Sequence, residues 1–243
     1  MDTSFTLVVT SCGRFDLLRR TLESFAGHAD MAPADVIVVE DSGDGAVADV
    51  VHQTYPRARV LINDEQLGQM RSIDRAYASL THPFVFHCED DWAFERTGFL
   101  AQSFALLEAL SQASLVGLRP RQEQNPRVRD ARTETIAGVA CYRLDPSLHP
   151  EYFSYSFNPG LRRLADYRAL APLARLGGEA DVSYAFKQKG FFIVNLEEHA
   201  VRHIGDERHV DDPAQPKRAR TLPERLVNSG RKRMKRLRRW WAL

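Results

Sequence analysis

Three consecutive carboxylates, Glu89, Asp90 and Asp91, with Trp92 directly behind them, are the stretch of this chain with most chemistry to offer. Adjacent acids repel one another, and an isolated ionised carboxylate is costly to bury. Either something positive offsets them or the stretch lies open to water. A divalent cation is an economical partner, because hard cations take oxygen ligands and keep positions for phosphate oxygens. The plain alternative is a solvated acidic turn, and only the neighbouring elements can separate the two.

Other clusters invite the same question. Thr10-Ser11-Cys12-Gly13-Arg14 is a small-residue turn ending in a cation, and Glu40-Asp41-Ser42-Gly43 is a second acidic turn. Gly68–Arg71 opens a helical stretch, and helix N-termini favour anions. Glu179 and Asp181, in Gly177-Gly178-Glu179-Ala180-Asp181, precede another helical stretch; acids there either take up a proton or simply favour the helix dipole. His203 follows late, in His203-Ile204-Gly205. Trp92, Tyr152, Tyr155 and Phe157 would suit a ligand-stacking wall or an ordinary core.

The elements that must position these groups can be read from apolar spacing. Phe5–Thr10, Val36–Val39, Arg59–Ile62 and Phe84–Phe86 read as buried strands, and the β-branched run of the second suits a parallel sheet. Phe15, Leu17, Leu18, Leu22 and Phe25 recur at helical spacing, and Ala46–Tyr55 and Gln69–Leu80 supply further helices. Beyond Trp92, a helix over Thr97–Ser111, strands over Leu115–Leu118, Val139–Leu144 and Phe191–Leu196, and a helix over Val182–Lys189 are expected, with Arg119–Thr135 as a mobile loop. Strands alternating with helices imply an α/β fold with a doubly wound, mostly parallel sheet. Ligands bind beyond the carboxyl ends of such strands, and three polar clusters fall at those ends. Three converging strand ends point to one crevice.

At 243 residues the chain fits one larger domain, or one domain with an appendage, and its 44% hydrophobic content is ordinary for a soluble protein. No apolar run approaches the roughly 18–20 residues of a membrane span, and no signal-peptide pattern is visible. Three scattered cysteines, Cys12, Cys88 and Cys141, form no disulfide framework or zinc motif, so reduced thiols are expected. The net charge of +1 hides an acidic body and a basic tail, with eleven Lys and Arg beyond Pro216 against one acid, Glu224.

In order and spacing these pieces resemble the nucleotide-sugar glycosyltransferases of the GT-A fold, family 2-like and of the inverting bacterial type, over roughly Phe5–His203. The resemblance rests on Leu7–Arg14, Val36–Gly43, Gln66–Arg71, Glu89–Asp91, Gly177–Asp181 and His203–Gly205. It implies nucleotide contacts from Thr10, Ser11, Arg14, Asp41, Arg71 and Asp90. Asp91 would coordinate Mn²⁺ or Mg²⁺ on the diphosphate, with Glu89 and His203 as further candidates. It also implies a general base among Glu179 and Asp181. Counting back about eleven residues from Gly190 reaches Glu179, although the family's adjacent Glu-Asp pair is split here. The expected activity is transfer of a sugar from a nucleoside-diphosphate donor, UDP first, to a hydroxyl of a surface glycan or glycolipid precursor. A catalytically silent scaffold of the same fold, attached to the membrane, is the alternative. A nucleotidyltransferase is disfavoured because Ser11–Arg14 is too short for a phosphate-binding loop.

The domain is expected over 1–212, with a proline-punctuated linker and basic tail over 213–243. Leu226–Leu243 reads as an amphipathic helix, with Met234, Leu237 and Trp241 on one stripe and Trp240 beside it. Its cationic face and terminal tryptophans suit an anionic membrane surface, with nucleic acid or a solvated tail as alternatives. Because the basic charge is confined to the tail, nucleic acid is not expected. A cytoplasmic protein, peripheral on the inner face of the membrane, follows as the expectation.

Overall fold

The computed structural model describes residues 2–205, 208, 210–214 and 222–241. Its strands are β1 (Phe5–Ser11), β2 (Asp35–Glu40), β3 (Arg59–Ile62), β4 (Phe84–Glu89), β5 (Trp92–Phe94), β6 (Ala113–Gly117), β7 (Thr133–Ile136), β8 (Val139–Leu144), β9 (Gly160–Arg163), β10 (Phe192–Leu196) and β11 (Val201–His203). The helices are α1 (Phe15–His28), α2 (Val47–Thr54), α3 (Gln69–Tyr77), α4 (Phe99–Ala109), α5 (Pro126–Arg129), α6 (Leu164–Arg168), α7 (Glu179–Gln188) and α8 (Leu222–Trp241). Pro216, Lys217, Arg218 and Arg220 of the basic tail lie outside the described residues.

One mixed, mostly parallel sheet runs β3-β2-β1-β4-β9-β6-β10-β8-β7. β1 pairs in parallel with β2 and β4, placing Val8 opposite Ile37 and His87. Both faces of this half are covered, which is why β1 and β2 are apolar without polar alternation. Leu7, Val9, Val36 and Val38 join α1, α2 and α4 in one core, where Phe25 meets Phe86 and Phe94 at 5.1 and 5.0 Å between ring centroids. Val8, Ile37 and Val39 face the opposite way and pack with Ile73 and Tyr77 of α3 and Phe186 of α7.

The second half departs further from the sequence pattern. β9 runs antiparallel between β4 and β6, an insertion of four residues that is too short to show a period. Gly160 permits it: a Cβ there would stand 2.3 Å from the Val116 carbonyl. Arg119–Thr135, expected as a mobile loop, instead contains a 3₁₀ turn, α5 and the start of β7. The Arg121 guanidinium organises it, donating to the carbonyls of Arg129 and Ala131 at 2.9 and 2.7 Å and pairing with Glu197. No described helix is long and apolar enough to cross a membrane.

A two-stranded ladder, β11 with β5, completes the fold and sets His203 opposite Trp92. It brings the late His203-Ile204-Gly205 stretch against the acidic turn after β4.

Candidate active site

Because β1, β2 and β4 are parallel neighbours, their carboxyl ends open on one edge of the sheet. There a cleft of about 1170 Å³ brings together Thr10, Ser11, Arg14, Asp41, Arg71, Glu89, Asp90, Asp91, Glu179, Asp181 and His203. Every site residue expected from the sequence lines it.

At the centre, Arg14 answers the repulsion within the acidic triplet. Its guanidinium pairs with Asp90, and its Nη1 lies 2.8 Å from Asp91 Oδ2. Burial still pushes the Asp90 carboxyl up to about 6 against the pull of Arg14. Glu89 is pushed up to about 7 by burial and by the charges of Asp91 and Glu179; it accepts hydrogen bonds from Gln69 at 2.7 Å and the Trp92 indole at 3.3 Å.

His203 Nε2 lies 3.3 Å from Asp91 Oδ2, while Asp91 Oδ1 is buried without a hydrogen-bond partner among the described residues. The Gly205 backbone packs so closely on Asp91 that an added Cβ would meet the Asp91 Cβ at 2.6 Å. An orphaned carboxylate oxygen beside an imidazole fits a divalent cation whose other ligands are phosphate oxygens and water. Among the described residues no group of three or more His, Cys, Asp or Glu side chains would hold an ion unaided. The residues present would therefore fit a cation only with further ligands completing its shell.

On the β2 side, Asp41 is nearly buried and its carboxylate is fully engaged. It accepts from the backbone N–H groups of Leu67 and Gly68, both at 2.8 Å, from Asn63 at 2.5 Å and from Ser72 at 3.0 Å. Asp41 thus anchors the loop that leads into α3. Glu40, which sequence reasoning noted only as part of its turn, is wholly buried. Its Oε1 ties Gly13 N at 2.9 Å to Ser42 N at 2.8 Å, and its Oε2 has no partner among the described residues. The one signal for it is position: Glu40 is in register with Ser11, at the mouth of the crevice. Ser11 Oγ is likewise buried and unpartnered among the described residues. Arg71 projects from the first turn of α3. The N-terminus of that helix already holds an anion, since Gln69 N donates to Asp212 at 3.4 Å.

The opposite wall carries the two acids of α7, and they differ. Asp181 receives the Gly178 N–H at 3.2 Å as part of the helix cap, and its other oxygen pairs with Lys235, at 2.5 Å, and with Arg239 of α8. Burial acts upward on this carboxyl, but those two cations outweigh it and hold it below the usual value. Glu179 is exposed to the cleft. Its Oε1 accepts from Ser156 Oγ at 2.9 Å and Phe157 N at 3.3 Å, leaving Oε2 without a protein partner among the described residues. A smaller pocket of about 240 Å³, lined by Arg119, Asn125, Asn158 and Asn195 among others, shares Glu179 and Tyr152 with the main cleft. Of the four aromatics considered for a sugar-binding wall, Trp92, Tyr155 and Phe157 are buried, whereas Tyr152 lines both spaces.

Residues 3–148 match the family described as Glycosyltransferase like family 2, and the chain belongs to that family. Solved structures share the GT-A fold. One is a mannosyltransferase from Pyrobaculum calidifontis in complex with GDP-Man and Mn²⁺, with a TM-score of 0.58 and 15% identity over 80% of this chain and 54% of that one. Another is GalNAc-T7 with UDP, GalNAc and Mn²⁺, with a TM-score of 0.58 and 13% identity over 83% of this chain and 43% of that one. TarS 1–349 of S. aureus has a TM-score of 0.56 and 14% identity, covering 84% of this chain and 61% of that one. The chain therefore spans only about half the length of these structures. No curated protein is significantly similar in sequence.

Proposed function

We propose that the protein transfers a sugar, with inversion, from a nucleoside-diphosphate donor to a hydroxyl of a glycan or lipid-linked acceptor. The observation that carries this is the cleft itself: Asp91 with its orphaned oxygen lies at the ends of the parallel strands, and Glu179 with its open Oε2 lies on the facing wall. Two of the matched solved structures hold GDP-Man or UDP together with Mn²⁺, which supports a uridine or guanosine diphosphate donor.

In this reading Thr10, Ser11 and Arg14 hold the nucleoside end, Asp41 fixes the loop beneath it, and Arg71 meets the diphosphate. Asp91 and His203 would hold Mn²⁺ or Mg²⁺, which when bound supplies Lewis-acid stabilisation to the leaving diphosphate. Asp90 keeps Arg14 in place, and Glu89 lies beside the sugar. Glu179 takes the proton of the acceptor hydroxyl. The acceptor oxygen then bonds to the anomeric carbon, and the electron pair of the breaking glycosyl–phosphate bond leaves with the nucleoside diphosphate. Asp181, engaged by the helix cap and by α8, orients the wall rather than moving a proton. Membrane association through the basic helix places the protein at an anionic inner leaflet.

A second reading has one observation in its favour. Arg14 already neutralises Asp90 and Asp91, an arrangement that also suits a silent protein of this fold. The test is a thermal-shift screen of UDP, GDP, CDP and dTDP with Mn²⁺, Mg²⁺ or EDTA, followed by assay of the stabilising nucleotide's sugars. Metal-dependent stabilisation and turnover lost in Glu179→Ala support transfer. Stabilisation without turnover supports the silent protein, and no stabilisation rejects both.

A further inference from the structure

Helix α8 carries two faces with different partners. Its inward face docks on the rim of the cleft. Arg236 Nε and Arg239 Nη1 lie 3.0 and 2.8 Å from the Glu151 carboxylate, Lys235 Nζ lies 2.5 Å from Asp181, and the Arg239 guanidinium stands 4.3 Å over the Tyr184 ring. Helical spacing puts Val227, Met234, Leu237 and Trp241 on the opposite side. There they are 54, 55, 54 and 91% exposed. Among the described residues these four, with Trp240, account for every exposed large hydrophobic except Leu148.

A concentrated apolar stripe on an otherwise well-covered surface marks an interaction site. Its borders say with what. Arg231, Arg233 and Arg238 flank the stripe and have no acidic partner among the described residues. Arginines beside apolar residues, with tryptophans at the helix end, match a surface that is anionic outside and apolar beneath.

We infer that α8 inserts its outward stripe into an anionic lipid bilayer while its inward face stays docked on Glu151 and Asp181, so that the cleft is held at the membrane surface. This rests on the membrane side of the reading above and adds the face, the docked state and the orientation. One helix then both walls the cleft, through Lys232, Lys235 and Arg236, and sets its distance from lipid. An acceptor anchored in the bilayer meets Glu179 without leaving its leaflet.

The test uses the full chain and reads no turnover. Sedimentation with vesicles of phosphatidylcholine, with and without phosphatidylglycerol, is compared for wild type and Leu237→Glu/Trp241→Glu. Binding should need phosphatidylglycerol and fall roughly tenfold or more in the double variant. Brominated lipid should quench Trp240 and Trp241 but not Trp92, which is only 2% exposed. Hydrogen exchange across Glu179–Gln188 should stay as slow on vesicles as in solution, and should quicken in Glu151→Lys, which undocks the helix. No lipid-dependent binding, equal binding by the double variant, self-association through the stripe in place of lipid binding, or faster exchange across Glu179–Gln188 on vesicles would each overturn the inference. A parallel thermal shift with nucleoside diphosphate reports on the donor site separately, so the two readings fail distinguishably.

Discussion

His203 Nε2 lies 3.3 Å from Asp91 Oδ2, held there by the β11–β5 ladder and by the bond from Ile204 N to the Asp91 carbonyl at 2.8 Å. The pair joins a residue of the matched family segment to one far beyond its end. If it holds a cation shared with the donor diphosphate, the thermal shift given by that nucleotide with Mn²⁺ should vanish in Asp91→Asn and shrink in His203→Gln. At ligand about a hundredfold above Kd, mass action stabilises the native state by about 2.7 kcal/mol, so the loss is readily measured. Equal shifts in wild type and Asp91→Asn would remove Asp91 from the metal site.

Gly205 tests the same pair through the backbone. A Cβ there would overlap the Asp91 Cβ, which has no flexible end to swing away, so the acid or the β11 strand must move. Gly205→Ala should cost about 1–3 kcal/mol in stability and abolish the metal-dependent shift. Gly27 in α1 is the control, because nothing lies within 4 Å of the place a methyl group would take there. Gly27→Ala should leave the shift intact and stabilise by up to about 1 kcal/mol.

Asp212 occupies the N-terminus of α3, where Gln69 N donates to it at 3.4 Å. Helix N-termini attract phosphate for the same reason they attract this carboxylate. If a nucleoside diphosphate binds at this helix end, as proposed, it must displace Asp212, and Asp212→Ala should tighten its binding several-fold, on the order of 1 kcal/mol. Isothermal titration measures this; unchanged or weaker binding would mean that Asp212 and the diphosphate occupy different places.

Much of this was legible in the sequence because the first half obeys local rules. Continuous apolar runs mark β1, β2 and β4, and parallel pairing then forces Asp41, Arg14 and Asp91 to one edge. The second half resists such reading because its order comes from long-range side-chain contacts. β9 is too short to show a period, and the segment around Arg121 is held by one guanidinium. The different circumstances of Glu179 and Asp181 were invisible for the same reason: they depend on Ser156 and on the docked α8. The tail's amphipathic character was plain, but which face would meet the body was not.

His149 makes that docking rim sensitive to pH. Its Nδ1 accepts the N–H groups of Glu151 and Tyr152 at 3.1 and 3.3 Å, so it must be unprotonated there. Burial, then the charges of Arg236 and Arg127, push it down to about 4, with Lys187 adding to them and Glu151 opposing. Between that value and the ordinary 6.5 the unfolded chain binds the proton more readily. Stability from this group is therefore complete above about pH 6.5 and falls as pH drops toward 4, by roughly 3 kcal/mol at most. Melting temperature of wild type should fall relative to that of His149→Asn as pH drops through that window, a comparison in which the raised Glu89 and Asp90 carboxyls, which act in the opposite sense, are common to both proteins. A difference in melting temperature between the two that does not change with pH would show that His149 is not buried neutral.

Arg162 is fully buried in β9, yet it has no acidic partner among the described residues. Its guanidinium donates instead to Tyr155 Oη at 2.9 Å and to the carbonyls of Ser156 and Asn158 at 3.1 and 3.0 Å. Ser156 in turn holds Glu179. Arg162 is thus a positioning residue, one step behind the proposed base. Arg162→Met leaves two carbonyls unsatisfied at about 1–3 kcal/mol each, and it should lower kcat by roughly ten- to a hundredfold while leaving donor KM nearly unchanged. A merely structural role would lower the melting temperature and the amount of active enzyme without altering the Glu179 background. Positioning predicts instead that adding Arg162→Met to Glu179→Gln costs little further activity, because both changes remove the same function. Additive losses in that cycle would separate Arg162 from the base.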